Sequence, residues 1–266
     1  MFDFSKNKMT IDIISSWSEF EELIREHTYR DWIYRGQSCA KWGLESSLER
    51  TFKDYEITDQ DKGQYEIHLL EKFKAHSSLF LSNAPEKNDK LEWLSLMQHH
   101  GAPTRLLDWS FSPYVACFFA ADHANSDFAV FCLNPRRLAG ADENYYPTTG
   151  PLYSEDEDIL KLRKYRDRFF VTYEPKFVHQ RALAQQGLFT AVTTYQRSYG
   201  KIFEEYVLSN RPIFKIVFKA EFRKECIDRL KKMNISSTTL FPDLDGFCSS
   251  LKHDFLYLLS DLASVE

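Results

Sequence analysis

Ser112-Pro113, followed by Tyr114-Val115-Ala116-Cys117-Phe118-Phe119-Ala120-Ala121, is the segment that most limits how this chain can fold. Serine is a favoured helix N-cap, and proline is at home in the first helical position. The pattern predicts a helix over 113–122 that is apolar nearly all round. Such a helix has no face to give to water and must be buried. Tyr114 to Ala121 is also the longest uninterrupted apolar stretch, far short of the ~20 residues that cross a bilayer. The opening MFDFSKNKMT has no apolar signal region. A soluble, cytoplasmic protein with no membrane partner is expected.

Periodicity supplies the other elements. Ser16 with Glu19 is a capping-box pattern, and Trp17, Phe20, Leu23, Ile24 and His27 recur behind it at helical spacing. Trp32-Ile33-Tyr34-Arg35 reads as a short strand stopped by Gly36. Helices are predicted over 65–81 and 90–100, the second ending where Gly101 can form a left-handed cap ahead of Pro103. Residues 104–111 read as a strand or ordered loop, 128–133 as a central strand, and 188–194 and 213–219 as strands. Residues 221–233 and 242–259 read as helices, 44–48 are ambiguous, and 53–64 read as a surface loop. Residues 134–170 read as a variable insertion, with an acidic run from Glu155 to Asp158 and a basic run from Lys161 to Arg168. The expected fold is a single α+β domain over 15–250 with helical additions, after an N-terminal extension at 1–14.

Composition removes several function classes. Nine glycines in 266 residues are about half the usual share. The nearest two in sequence are Gly36 and Gly43, so the chain has no dinucleotide fingerprint, P-loop or nucleophile elbow. With 34 basic against 39 acidic residues, the net charge of −5 argues against a globally basic nucleic-acid surface. The five cysteines form no C-x-x-C pair and read as reduced thiols. Aromatic residues make up 15% of the chain, enough for a sizeable core with some left to line a pocket.

The densest polar cluster on an apolar background is Gln98-His99-His100-Gly101-Ala102-Pro103-Thr104-Arg105-Leu106-Leu107-Asp108-Trp109-Ser110. An unpaired buried polar group costs about 1–3 kcal/mol, so these groups must pair with one another or with a ligand. In one reading Arg105 and Asp108 form a buried ion pair and His99 caps a turn. In another, His99, His100 and Asp108 form a hydrolase or nuclease centre. No metal is expected: adjacent histidines point different ways on a helix, and no H-E-x-x-H occurs. Arg35, at the end of an apolar strand and beside Gly36, suits an anionic ligand or a structural salt bridge.

Tyr34-Arg35-Gly36-Gln37, Leu91-Glu92-Trp93-Leu94, the Gln98–Ser110 block and Phe118-Phe119-Ala120 together resemble the FRG domain family. The similarity resumes at Glu174-Pro175, Arg181, Gln185-Gln186-Gly187-Leu188-Phe189-Thr190 and Leu240-Phe241-Pro242-Asp243-Leu244-Asp245-Gly246, covering roughly residues 15–250. Tyr34 stands where the family's naming motif has phenylalanine. The family's spread in bacteria and phage-related genomes implies a toxin or anti-phage effector.

A second resemblance, to ADP-ribosyltransferase folds, implies a mechanism. It runs through Arg35-Gly36 at the end of a first strand, Ser110-Phe111-Ser112 leading into a helix, and Gln186-Gly187-Leu188-Phe189 on a third strand. It implies that NAD is the substrate. Arg35, with Gly36, Gln37 and Arg105, would hold the anionic ligand. Ser112 and Tyr114 would border the nicotinamide ribose, and Gln186 would stand where those folds place a glutamate. An amide can orient a hydroxyl but cannot offset positive charge as a carboxylate does. Asp108 or Glu174 is a substitute acid, and His99 is a candidate acid or base. The expectation is an NAD-dependent ADP-ribosyltransferase-like enzyme or NADase with an unspecified acceptor. The alternatives are a non-catalytic nucleotide- or protein-sensing module and a His/Asp hydrolase.

Overall fold

Ser112 caps the apolar helix: its hydroxyl accepts the Val115 N–H at 3.3 Å, and Pro113 opens the first turn. Around that helix the computed structural model describes residues 10–81, 83–137, 170–176, 180–192, 198–200 and 212–251. In chain order these form β1 (Thr10–Ile14), α1 (Trp17–Ile24), β2 (Ile33–Gln37), α2 (Ser47–Asp54), α3 (Lys62–Ser77), α4 (Lys90–His99), β3 (Leu106–Ser110) and α5 (Pro113–Asp122). Then follow β4 (Phe128–Leu133), β5 (Phe170–Tyr173), α6 (Gln180–Ala184), β6 (Gly187–Val192), β7 (Ile213–Phe218), α7 (Arg223–Lys232) and α8 (Ser237–Leu240). Residues 244–251 are helical. The acidic and basic runs of the expected insertion, and the end of the helix expected over 242–259, lie outside the described residues.

The fold is α+β. Among the described residues the strands form one mixed sheet in the order β1-β7-β4-β2-β3-β6-β5. Only β1 and β7 run parallel. Residues 10–14, assigned from the sequence to an extension, supply that edge strand. Residues 47–54, which overlap the ambiguous 44–48 and the loop expected from 53, form α2. Its start is fixed by a capping box between Ser46 and Glu49, a local signal the apolar pattern does not carry.

One face of the sheet is covered by α1, α5 and α7 through Trp17, Phe20, Cys117, Phe118, Phe218 and Leu230. Helices α3 and α4 pack Leu70, Leu94 and Met97 against Leu106, Ala191 and Tyr173. Gly36 shows how tightly α5 is seated. A Cβ there would lie 2.0 Å from the Ala116 carbonyl oxygen and 2.6 Å from the Ala120 nitrogen. We predict that Gly36→Ala destabilises the protein towards the upper end of about 1–3 kcal/mol, because backbone, not a side chain, must yield. Chemical denaturation measures it, and wild-type stability in the variant would contradict this seating of α5.

One ladder is nearly missing. β2 pairs with β4 at five positions, and β3 with β6 at five. β2 and β3 pair only at Tyr34 and Ser110. From that point the two strands diverge, and the sheet opens between them.

Candidate functional site

The opening between β2 and β3 is where the polar residues collect. Arg35 is the first β2 residue past the Tyr34–Ser110 pair. Its Nη1 donates to the Asp108 backbone carbonyl at 2.7 Å and to Asp108 Oδ2 at 3.4 Å. The guanidinium thus spans the gap and takes the carbonyl that a continuing ladder would have paired.

The Asp108 carboxylate is held from a second side. The Leu106 N–H donates to Thr104 Oγ1 at 3.1 Å, so the threonine hydroxyl directs its own proton to Gln98 Oε1, 2.6 Å away. The Gln98 amide is thereby turned so that Nε2 donates to Asp108 Oδ2 at 2.9 Å. Gln98 can reach this position because α4 stops immediately after it. Gly101 sits at φ 78°, and the Gly101 and Ala102 N–H groups donate to the Gln98 and Met97 carbonyls.

These groups border a cleft of about 820 Å³, with Arg50, Arg181, Gln37 and Trp42 also on its wall. Two acids line or approach it, and both are engaged: Asp108 by Arg35 and Gln98, and Glu45 by Lys53. Arg50 donates to the Glu45 carbonyl at 2.9 Å, and Arg181 lies 4.5 Å over the Phe241 ring. Neither has a carboxylate partner among the described residues. The cleft wall therefore carries three guanidiniums against two carboxylates, and two of the three have no carboxylate partner among the described residues, which is the electrostatics of an anion site.

The family model of the FRG domain matches residues 30–128. This chain carries an FRG domain. The match runs from just before β2 to the start of β4, and so takes in Arg35, Trp42, Arg50, Gln98 and Asp108. Gln185 and Arg181, on the opposite wall, come from beyond it. No curated protein and no solved structure matches the chain.

Of the residues proposed from the sequence, Arg35, Gly36, Gln37 and Asp108 line the cleft of the FRG domain. His99 lines an adjoining recess of about 80 Å³ that shares Gln98, Asp108, Trp109, Arg181 and Gln185 with it. The remaining four stand elsewhere. Arg105 is buried in a bidentate ion pair with Glu66, not with Asp108, and its Nη1 donates to the Val192 carbonyl. Ser112 is the buried N-cap of α5, and its N–H donates to Ser110 Oγ. Tyr114 packs against Trp17 and Phe20, where burial pushes its hydroxyl pKa up. Gln186 is exposed at φ 48°, and its carbonyl accepts the Phe111 N–H.

Its neighbour Gln185 is the residue that lines the cleft. Its carbonyl accepts from Ser110 Oγ at 2.7 Å, and its Nε2 donates to the Leu240 carbonyl. The left-handed turn at Gln186 makes the difference, since a one-residue change there exchanges the side chain facing inward. Glu174, the other candidate acid, pairs with Arg30 at 2.6 and 2.8 Å and lines neither cavity. Among the described residues no group of three or more His, Cys, Asp or Glu is placed to hold a metal ion. None of the helices among them is long and apolar enough to cross a membrane. Trp42, Arg50 and Gln98 were missed because none belongs to a periodic pattern. Gln98 alone had a signal, its place in the dense polar block.

Proposed function

We propose that the cleft binds NAD and that the FRG domain, completed by α6 and β6, cleaves the bond between nicotinamide and ribose. The observation that carries this reading is the excess of guanidinium charge around Arg35, in a cleft bordered by two of the segments that resemble ADP-ribosyltransferase folds, at Arg35-Gly36 and Ser110, while Gly187-Leu188-Phe189 of the third line the adjoining recess. Those segments lie on β2, β3 and β6, which are consecutive in the sheet. A pyrophosphate suits Arg35, Arg50 and Arg181, and the cleft volume is that of a cofactor-sized site. Arg35 keeps Nη2 free of any protein partner among the described residues while Nη1 is committed to Asp108.

In this reading Asp108, held by Arg35 and Gln98, is the fixed negative charge beside the ribose. As the glycosidic C–N bond breaks, its electron pair leaves with the nicotinamide nitrogen and positive charge develops on the sugar. A carboxylate already oriented needs no reorganisation to stabilise it. Water or an acceptor hydroxyl or amine then bonds to the sugar carbon and gives up a proton. His99, which lines the adjoining recess, is the candidate to take it.

The test is release of nicotinamide and ADP-ribose from NAD by the full chain. Asp108→Asn is expected to slow release by about a hundredfold and to leave NAD binding by calorimetry nearly unchanged. Binding with no release in the wild type would make the cleft a nucleotide sensor, and absence of both would remove NAD as the ligand.

A further inference from the structure

Lys215 is a buried cation with no carboxylate beside it, the Cys39 thiol being the acidic group near enough to act on its charge. It lies on β7, is 8% exposed, and has no carboxylate partner among the described residues. Its Nζ donates to the carbonyl oxygens of Ala40 and, at 3.1 Å, Trp42, and sits 4.7 Å from the centre of the Phe131 ring. Desolvation lowers its pKa from the ordinary lysine value. Burying an ammonium without an anion is costly, and two carbonyls and a ring offset that only in part.

What the lysine secures is the segment after β2. Arg35 is in register with Phe131, and Phe131 with Lys215, so the three side chains stand in a row on one face of the sheet. The chain leaving β2 crosses the end of that row. Lys215 takes the carbonyls of residues 40 and 42, Gln37 Nε2 takes that of Gly43 at 2.9 Å, and the Ala40 N–H donates to the Asp127 carbonyl. The loop is thus pinned along its length. It carries Trp42, whose side chain lines the cleft and is 57% exposed, with no ring partner and no acceptor for its indole N–H among the described residues. A large aromatic carried on a pinned backbone at the mouth of a cationic cleft is a platform whose apolar face still awaits a partner.

We propose that Trp42 is the base-stacking residue of this site, receiving the planar base of a nucleotide whose phosphates lie on Arg35, Arg50 and Arg181, and that Lys215 is its positioning residue. This rests on the reading of the cleft as a nucleotide site. With the backbone already fixed, stacking has only the two side-chain torsions of the indole left to order, and one base–aromatic stack strengthens binding by roughly tenfold or more. Trp42 contributes this term for every base, so it adds affinity without selecting among them.

The experiment titrates the full chain with AMP, ribose 5-phosphate, nicotinamide mononucleotide and pyrophosphate, by calorimetry and by tryptophan fluorescence. AMP is expected to bind the wild type and to quench its emission. Ribose 5-phosphate, which lacks the base, is expected to bind about tenfold more weakly and without quenching. Trp42→Ala should remove the advantage of AMP and the quenching, Trp42→Phe should restore most of the affinity, and neither should change the binding of pyrophosphate. Lys215→Met should weaken AMP in the same way while pyrophosphate is retained, which also shows that the variant is folded. Quenching by nicotinamide mononucleotide in place of AMP would assign the platform to the nicotinamide base and support the same role. Equal AMP affinity in the wild type and Trp42→Ala would overturn the proposal and leave the nucleotide reading intact. Pyrophosphate binding without any preference for AMP would do the same. Failure of every probe to bind would overturn both.

Discussion

Arg35→Ala is expected to reduce nicotinamide release by at least about a hundredfold, the loss typical of removing one preorganised charge donor from a reacting centre. The variant loses two things at once. Nη2, the donor left for the ligand, disappears, and so does the Nη1 contact that holds the Asp108 carbonyl and carboxylate. Binding and turnover should therefore fall together. Asp108→Asn should differ, because it leaves the guanidinium in place and affects turnover alone. Arg35→Lys should not rescue the loss, since an ammonium is a single point of charge and cannot reach both the carbonyl across the gap and a ligand phosphate. Single-turnover release by chromatography, with a thermal melt of each variant, separates chemistry from unfolding. Unchanged release in Arg35→Ala would take Arg35 out of the reaction.

Glu66→Ala is expected to cost about 3–5 kcal/mol of stability, the largest stability loss predicted for this protein. Glu66 lies on α3 and receives Arg105 through both carboxylate oxygens, with the two residues 7% and 5% exposed. Removing the acid leaves a buried guanidinium without the carboxylate that received it through both oxygens. Replacing both partners by methionine should cost far less, because no charge is then left unpaired. Urea denaturation measures both variants. A Glu66→Ala loss below about 1 kcal/mol would mean that the pair is solvated in solution. Arg105 comes immediately before β3, so its loss should also loosen the strand that carries Asp108.

The Gln98–Ser110 block shows how far sequence reasoning carried. Its density of polar groups against apolar neighbours marks it as a place where polar groups must be satisfied, and its polar side chains are bonded or face a cavity, except that of His100, which is exposed. Its partners are another matter. Arg105 and Asp108 are three residues apart, and on that spacing alone an ion pair between them is as good as any other. The β3 pleat decides against it. Leu106 and Asp108 share one face while Leu107 and Trp109 take the other. Arg105 turns away into the contact with α3, and Asp108 turns towards the open ladder.

Gly36 makes a similar point. Its position beside an arginine suggests close approach to a ligand. The atoms that forbid a side chain there belong to the backbone of α5. The residue lines the cleft, but the glycine is demanded by helix packing.

Local chemistry was sufficient for the burial of α5, the cap at Gly101 and the presence of a strand through Arg35, although Gly36 does not stop that strand, which runs on to Gln37. In each case the residues that decide the outcome lie within one or two helical turns of one another. The edge strand at 10–14 pairs with residues 204 positions away, the loop pinned by Lys215 is held from 175 positions away, and the left-handed turn brings Gln185 inward in place of Gln186. Above all, the divergence of β2 from β3 is a property of how each strand is held by its other neighbour, β4 on one side and β6 on the other. No local pattern records that competition. It arises only once the sheet has formed, and it is what turns a row of strand residues into a cleft.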